Sequence, residues 1–284
     1  ERMEFRITDA VTLVDRMYEN WDNKNSHFDY KLGIEYDISE HSMIWADNST
    51  GYRQGYRGSK SQTLNSYQIG SKNRFFDQRV QMNATAFYYD YTNYQVRSMI
   101  DYEDPETGAL LFDMGVGTGD ATVYGLDLDT EYLFTKNDLV TLSASYLKSS
   151  IRDLTITYVF SPPSSQYEDA PLNNSPKLTL AGSYKHNFYL GNGATITPGF
   201  DFRYRTEYYC SFQDYIQDPE DPTNWEPNHI MINASMNYAS PGGKWSLNAY
   251  IKNIENHAEK VGKMMSSLRL SPPRTYGAVL SMKY

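Results

Sequence analysis

The side chains best suited to chemistry are arginines with tyrosines beside them: Tyr52, Arg53 and Gln54 followed by Tyr56 and Arg57, and further on Arg203 with Arg205. A guanidinium fork matches the paired oxygens of a carboxylate or catecholate, and a tyrosine ring adds a stacking face, so these groups offer a hold on an anionic ligand. A plainer assignment stands beside this one. Tyr52 and Tyr56 also suit an aromatic belt at a membrane surface, and Arg203 and Arg205 could pair with wall carboxylates such as Asp201 or Asp127. Catalysis has no comparable set of residues. His27, His41, His186, His229 and His257 are scattered singly, and no Ser-His-Asp set, Cys-His pair or phosphate loop is recognisable, so no enzyme is expected. The one cysteine, Cys210, can close no internal disulfide and has no Cys/His company for zinc, so it reads as a bystander. Two acidic runs, 101–106 and 214–226, carry the oxygen ligands that Ca²⁺ prefers but not the EF-hand spacing, and they read as solvated loops. No cofactor or metal site is assigned.

Positioning these residues requires a scaffold, and the bulk composition limits which one. Over 284 residues the chain has 15% aromatics, among them 26 tyrosines, and a mean hydropathy of -0.64. So polar and aromatic a chain is poorly suited to a dry globular core, but it suits strands with one wet and one apolar face and tyrosines where lipid meets water. A net charge of -9 argues against nucleic acid as a partner, because phosphate binding needs a basic patch. No stretch approaches the roughly 20 apolar residues of a membrane helix, so any crossing of a bilayer is by β-strands.

Strict alternation supports that scaffold. Phe28, Tyr30, Leu32, Ile34 and Tyr36 alternate with Asp29, Lys31, Gly33, Glu35 and Asp37, and Ile196, Pro198, Phe200, Phe202 and Tyr204 alternate with Thr195, Thr197, Asp201, Arg203 and Arg205. Read along the chain, the pattern gives about eleven strands, many near the roughly 9 to 11 residues that a tilted strand needs to cross a bilayer. Residues 1–27 are the least legible: 5–14 reads as the end of a strand and 15–27 as a loop. The links alternate between tight ones at 38–42, 77–78, 135–138, 191–193 and 240–244 and long ones at 50–66, 97–121, 148–176, 208–228 and 253–274. Trimmed turns on one rim and elaborated loops on the other are the habit of outer-membrane barrels. The last strand places Tyr276, Ala278, Leu280, Met282 and Tyr284 on one face, with Gly277 on the other, and it resembles the assembly signal of bacterial outer-membrane proteins. An odd number of strands, opening on Glu1-Arg2-Met3-Glu4 as if mid-protein, implies an incomplete barrel whose missing strands come from an upstream part of the same protein or, as the lesser alternative, from another chain.

A family resemblance adds to this. Met43-Ile44-Trp45-Ala46, then Ser49-Thr50-Gly51-Tyr52-Arg53-Gln54-Gly55, then Tyr67-Gln68-Ile69-Gly70-Ser71-Lys72-Asn73-Arg74-Phe75 look like a signature region of TonB-dependent outer-membrane receptors. Phe87-Tyr88-Tyr89-Asp90-Tyr91 with Tyr94-Gln95, Val123-Tyr124-Gly125-Leu126-Asp127, Asn174-Ser175-Pro176-Lys177 and Pro273-Arg274-Thr275-Tyr276-Gly277 are similar to later landmarks of that family, in the same order. The resemblance implies an all-β, antiparallel transmembrane barrel of about 22 strands, occluded by an N-terminal plug. The chain would then be the C-terminal portion of that single barrel domain, without the plug and its TonB-contacting box. It also implies active uptake of a scarce, bulky ligand, foremost an iron-siderophore complex, with energy relayed by TonB, in an outer-membrane setting with the long loops extracellular and the C-terminus periplasmic. Partners would be the missing strands and plug, TonB, lipid and the ferric ligand. A passive porin shares the alternation and the closing strand, and the presence or absence of a plug upstream separates the two; a barrel enzyme would need a nucleophile and base facing each other near the rim.

Overall fold

Alternating polar and apolar side chains demand extended backbone, since only a strand turns successive residues to opposite faces. A computed structural model of the chain describes residues 3–8, 26–55, 59–103, 108–158, 166–211, 224–264 and 267–283. Its strands begin with β1 (Met3–Thr8), β2 (Lys31–Ser39), β3 (Ser42–Arg53), β4 (Gln62–Phe75), β5 (Val80–Glu103) and β6 (Leu110–Thr135). Next come β7 (Asp138–Tyr158), β8 (Gln166–Tyr167), β9 (Leu178–His186), β10 (Phe188–Tyr189), β11 (Thr195–Arg205) and β12 (Tyr208–Tyr209). The chain closes with β13 (Trp225–Glu226), β14 (His229–Ala239), β15 (Trp245–Lys252), β16 (Lys260–Met264), β17 (Ser267–Leu270) and β18 (Thr275–Met282). The wall is one antiparallel meander in the order β1-β2-β3-β4-β5-β6-β7-β9-β11-β14-β15-β18. It has twelve strands where alternation predicts about eleven, so the expected odd count does not hold. The addition is β1, which overlaps the strand end read at 5–14 but whose six residues are too few to count as a full period.

Register fixes the faces. Ile34, Ala46, Ile69, Ala86, Leu126 and Tyr146 sit opposite one another in a continuous row across six strands. One residue along, Glu35, Trp45, Gly70, Thr85, Asp127 and Ser145 form the matching row on the other face. Strand β3 alternates weakly because Asn48 falls on the apolar side. There it is hydrogen-bonded rather than left bare: the Tyr30 hydroxyl donates to its Oδ1 at 2.8 Å, and its Nδ2 donates to the Ser66 carbonyl at 3.0 Å.

Among the described residues, no protein layer covers the apolar face. Leu126 and Ile69 are each 60% exposed, and the described residues present 18855 Å², against roughly 12,400 Å² for a compact monomer of this mass. Aromatic rows bound the apolar face. Tyr67, Tyr88 and Tyr124 stand in register with neighbouring rings 6.4 and 6.3 Å apart, and Tyr132 and Phe134 lie at the other end of β6. Ten residues separate Tyr124 from Phe134, which at ~3.3 Å per residue and a tilt of ~40° is about 25 Å of height, the thickness of an apolar membrane band.

All the tight turns fall at one end of the sheet. At 76–78 three consecutive non-glycine residues, Phe76, Asp77 and Gln78, take positive φ to close one of them. The opposite end is elaborated, but not as the open loops expected at 97–121 and 148–176. There β5, β6 and β7 continue as strands of 24, 26 and 21 residues and carry a small core of their own, with Val96, Ala121, Ile151, Leu154, Ile156 and Ala170 buried. Gly115, Gly117 and Gly119 run along β6 beneath Ile156 and Leu154, which reach over them.

Gly125 is a tighter constraint. A Cβ there would stand 2.0 Å from the Tyr146 carbonyl oxygen and 2.8 Å from the Phe87 ring, and no rotamer change moves a backbone carbonyl. Gly125→Ala is therefore expected to cost about 3 kcal/mol of overpacking. The fraction of heat-resistant, folded receptor on semi-native electrophoresis should fall accordingly, while Gly191→Ala, with open space around it, leaves that fraction unchanged.

Candidate functional site

The polar side of β11 runs up to the loop end and finishes on Arg203 and Arg205. Register sets Arg205 between Thr179 and His229, so the strand pairing that builds the wall also carries a histidine to the arginines. Two loop pieces cover them. The β12–β13 pair places Tyr208 opposite Glu226. The segment after β15 is folded by Asn253, buried with φ 54°, whose Nδ2 donates to the carbonyls of His257 and Pro272 at 2.9 and 3.0 Å. That fold returns Glu259 to the arginines, and Ser271 Oγ accepts from the Glu259 amide at 3.1 Å.

Glu259 is the centre of this cluster. Its carboxylate is 1% exposed and takes a charged hydrogen bond from Arg203 Nη2 at 2.7 Å, one from Arg205 Nη2, and the Tyr208 hydroxyl at 2.8 Å. Burial pushes the Tyr208 phenol up to about 12 against the opposing pull of Arg205, so at neutral pH it is a donor. The Arg205 guanidinium also lies 4.8 Å over the Tyr208 ring. Burying this carboxylate is tolerable because two cations and a hydroxyl replace its water.

A second carboxylate lies beside the first. Glu226 Oε1 is 2.6 Å from His257 Nε2 and 3.6 Å from His229 Nδ1, and its Oε2 accepts from the Lys260 amide at 2.9 Å. The two imidazoles stack at 4.9 Å with 25° between their planes. Lys260 Nζ donates to the Trp225 carbonyl at 2.9 Å, and Cys210 Sγ, buried, donates to the Lys260 carbonyl at 3.1 Å. The whole arrangement is a dense ion-pair network that ties β11, β13, β14 and the segment after β15 together.

The structure corrects several expectations. Arg203 and Arg205 do point to the polar side, but Glu259 takes them rather than Asp201 or Asp127; Asp201 accepts from Asn233 Nδ2 at 2.7 Å and Asp127 from Ser145 Oγ at 2.6 Å. His229 and His257 are not scattered, and Glu226 is buried rather than solvated. Cys210 is enclosed in the cluster's wall. Alternation could have placed His229 on the Arg205 face. No periodicity reaches Glu226, His257 or Glu259, because a loop fold alone brings them in.

The other predicted group does not join this one. Strand β3 is separated from β11 by β4, β5, β6, β7 and β9. Tyr52 stacks on His27 at 4.4 Å and shares a 2.9 Å hydrogen bond with Ser61. The Gln54 carbonyl accepts from Gln95 Nε2 at 3.3 Å, and Arg53 is exposed at the tip of β3. Tyr56 and Arg57 lie outside the described residues. At the C-terminus Tyr276, Leu280 and Met282 are exposed on the face they share with Ile251, Leu247 and Trp245 of β15, and Gly277 lies under Tyr250; Tyr284 lies outside the described residues.

A family model described as TonB dependent receptor-like, beta-barrel, matches residues 2–254. No curated protein matches significantly. Among solved structures, the ferric yersiniabactin uptake receptor FyuA of Yersinia pestis aligns over 92% of this chain and 38% of its own, with TM-score 0.67 and 11% identity. The ferric preacinetobactin receptor BauA of Acinetobacter baumannii gives 91%, 36%, 0.66 and 14% in the same order. The siderophore receptor PiuA of the same organism gives 91%, 36%, 0.65 and 18%. These identities establish a shared fold, and the chain spans well under half of each of these proteins.

Proposed function

Because the chain belongs to the TonB-dependent receptor β-barrel family, a family of Gram-negative outer-membrane transport proteins, we propose that it forms the C-terminal part of the barrel wall of a receptor that takes up a ferric siderophore. The observation that carries this reading is the segregation of the sheet's ends: every tight turn at one, every elaborated connection at the other, with an apolar band about 25 Å tall between them. The turn end then faces the periplasm and the loop end the medium. Siderophore receptors among the structural neighbours support the ligand class. The plug and TonB box are expected in the remainder of the protein. The closing strand, with Tyr276, Gly277, Leu280, Met282 and Tyr284, serves as the assembly signal.

Of the described candidate arginines, Arg53 is the one exposed at a strand tip, whereas Glu259 already engages Arg203 and Arg205. Tyr52 and Gln54 flank it at the end of β3, and Tyr56 and Arg57, which follow in the sequence, are proposed to complete the first contact surface. Deleting the whole gene should abolish uptake of radiolabelled iron from one ferric siderophore, as should deleting tonB. Arg53→Ala in the full receptor should weaken binding of that complex about tenfold, equivalent to ~1.4 kcal/mol. Uptake that survives loss of TonB, or a steady ohmic conductance in planar bilayers, would favour the porin instead.

A further inference from the structure

We propose that Glu226, His229 and His257 form a binding site for one divalent transition-metal ion of the zinc class at the loop end of the sheet. One carboxylate oxygen and one ring nitrogen from each histidine lie within 4.8 Å of one another. Ligand atoms ~2.0–2.1 Å from a tetrahedral Zn²⁺ stand about 3.3 Å apart. The 3.6 Å separation of Glu226 Oε1 from His229 Nδ1 is already near that value; the 2.6 Å pair of Glu226 Oε1 and His257 Nε2 must open by about 0.7 Å, and the two histidine nitrogens, within 4.8 Å of each other, must settle at the same spacing by side-chain rotation.

Two further features point to a cation. The first is an orphan: His229 Nε2 is buried without a hydrogen-bond partner, on a side chain only 5% exposed. Its Nδ1 is 3.0 Å from the Pro227 carbonyl and its Nε2 is 3.4 Å from Glu259 Oε1. With the proton on Nδ1, the Nε2 lone pair faces a carboxylate; with it on Nε2, the Nδ1 lone pair faces a carbonyl. A metal on one nitrogen leaves the other to donate to an oxygen already in place, which is how metal-bound histidines are usually held. The second feature is the division of charge. Glu259 occupies the Arg203 and Arg205 guanidiniums, leaving Glu226 to the two histidines, while the Lys260 amide orients its other oxygen. Two imidazoles and one carboxylate suit Zn²⁺, Co²⁺, Ni²⁺ or Cu²⁺ and disfavour Ca²⁺ and Mg²⁺. His257, 32% exposed, gives the ion its way in. Bound there, the ion would join β13, the head of β14 and the segment after β15.

The test uses the full receptor in detergent, stripped with EDTA and titrated with Co²⁺. The expected result is a visible d–d absorption saturating with stoichiometric Co²⁺ and bleached by Zn²⁺, with the affinity at least tenfold weaker in His257→Gln. His257→Cys should bind Co²⁺ again and add a thiolate charge-transfer band in the near ultraviolet. A native receptor that shows no saturable Co²⁺ absorption overturns the proposal. So does a native spectrum that His257→Gln and His257→Cys both leave unaltered.

Discussion

Leu128→Arg in the full receptor lowers folding stability in lipid vesicles by about 2–4 kcal/mol, whereas Ser143→Arg, on a neighbouring strand but on the opposite face, changes it by less than about 1 kcal/mol. Leu128 sits in the outward row of β6, two alternations from the Tyr124 band and three from Phe134, flanked in register by Ala84 and Ala144. It is therefore close to mid-membrane depth, where a guanidinium has neither water nor a counter-charge and cannot reach an interface without distorting the bilayer. Ser143 faces the lumen, and its hydroxyl donates to Asp129 at 2.6 Å, so an arginine there meets a carboxylate and water. The measurement is a urea titration of each variant in vesicles. Were the apolar face bathed in water, the two costs would be alike and small.

Glu259→Ala has the second large effect, and it is confined to the loop end. Removing the carboxylate leaves Arg205 and the Tyr208 hydroxyl without that acceptor in a space that admits little water, with the more exposed Arg203 beside them. Breaking a buried ion pair from one side costs about 3–5 kcal/mol, because a buried partner charge, here Arg205, stays without compensation; Arg203 is exposed enough for water to take over. The wall does not depend on this cluster, since its ladders run past it. The expected outcome is thus a barrel that still assembles but whose segment between β15 and β18 is cut readily by protease, a segment that in the native receptor is protected by Asn253, Ser271 and Glu259 together. Replacing Arg203 and Arg205 by methionine alongside Glu259→Met should recover most of the protection, because charge and counter-charge leave together. Recovery failing in the triple variant would mean that Glu259 acts through its loop rather than through the ion pairs.

The wall was readable in the sequence because two faces in two solvents write a period of two into every strand. Ile34, Ala86 and Leu126 could each be assigned to the outer face from their neighbours alone, and register joins them into one row through Ala46 and Ile69, whose strands alternate more weakly. The signal failed where one solvent surrounds the strand. Beyond the membrane band β5, β6 and β7 have water or their own small core on both sides, and Gly115, Gly117 and Gly119 carry no side chain to alternate, so strands resembled loops. The same limit hid the loop-end cluster. Arg203 and Arg205 were legible because they alternate within β11, but their partner Glu259 comes from a fold made by side chains of Asn253 and Ser271, which leaves no periodic trace. His229 and His257 looked unrelated for the same reason, although their rings are stacked.

Lipid on one face of the wall and water on the other can be read directly by site-specific labelling. With Cys210 replaced by serine, single cysteines at positions 124 to 132 of β6 in the full receptor are spin-labelled and reconstituted in vesicles, and their collision rates with oxygen and with a water-soluble nickel chelate are measured. The account predicts strict alternation: positions 126, 128 and 130 accessible to oxygen and shielded from nickel, and positions 127, 129 and 131 the reverse. Accessibility to nickel at every position, or to neither reagent along the whole strand, would contradict it.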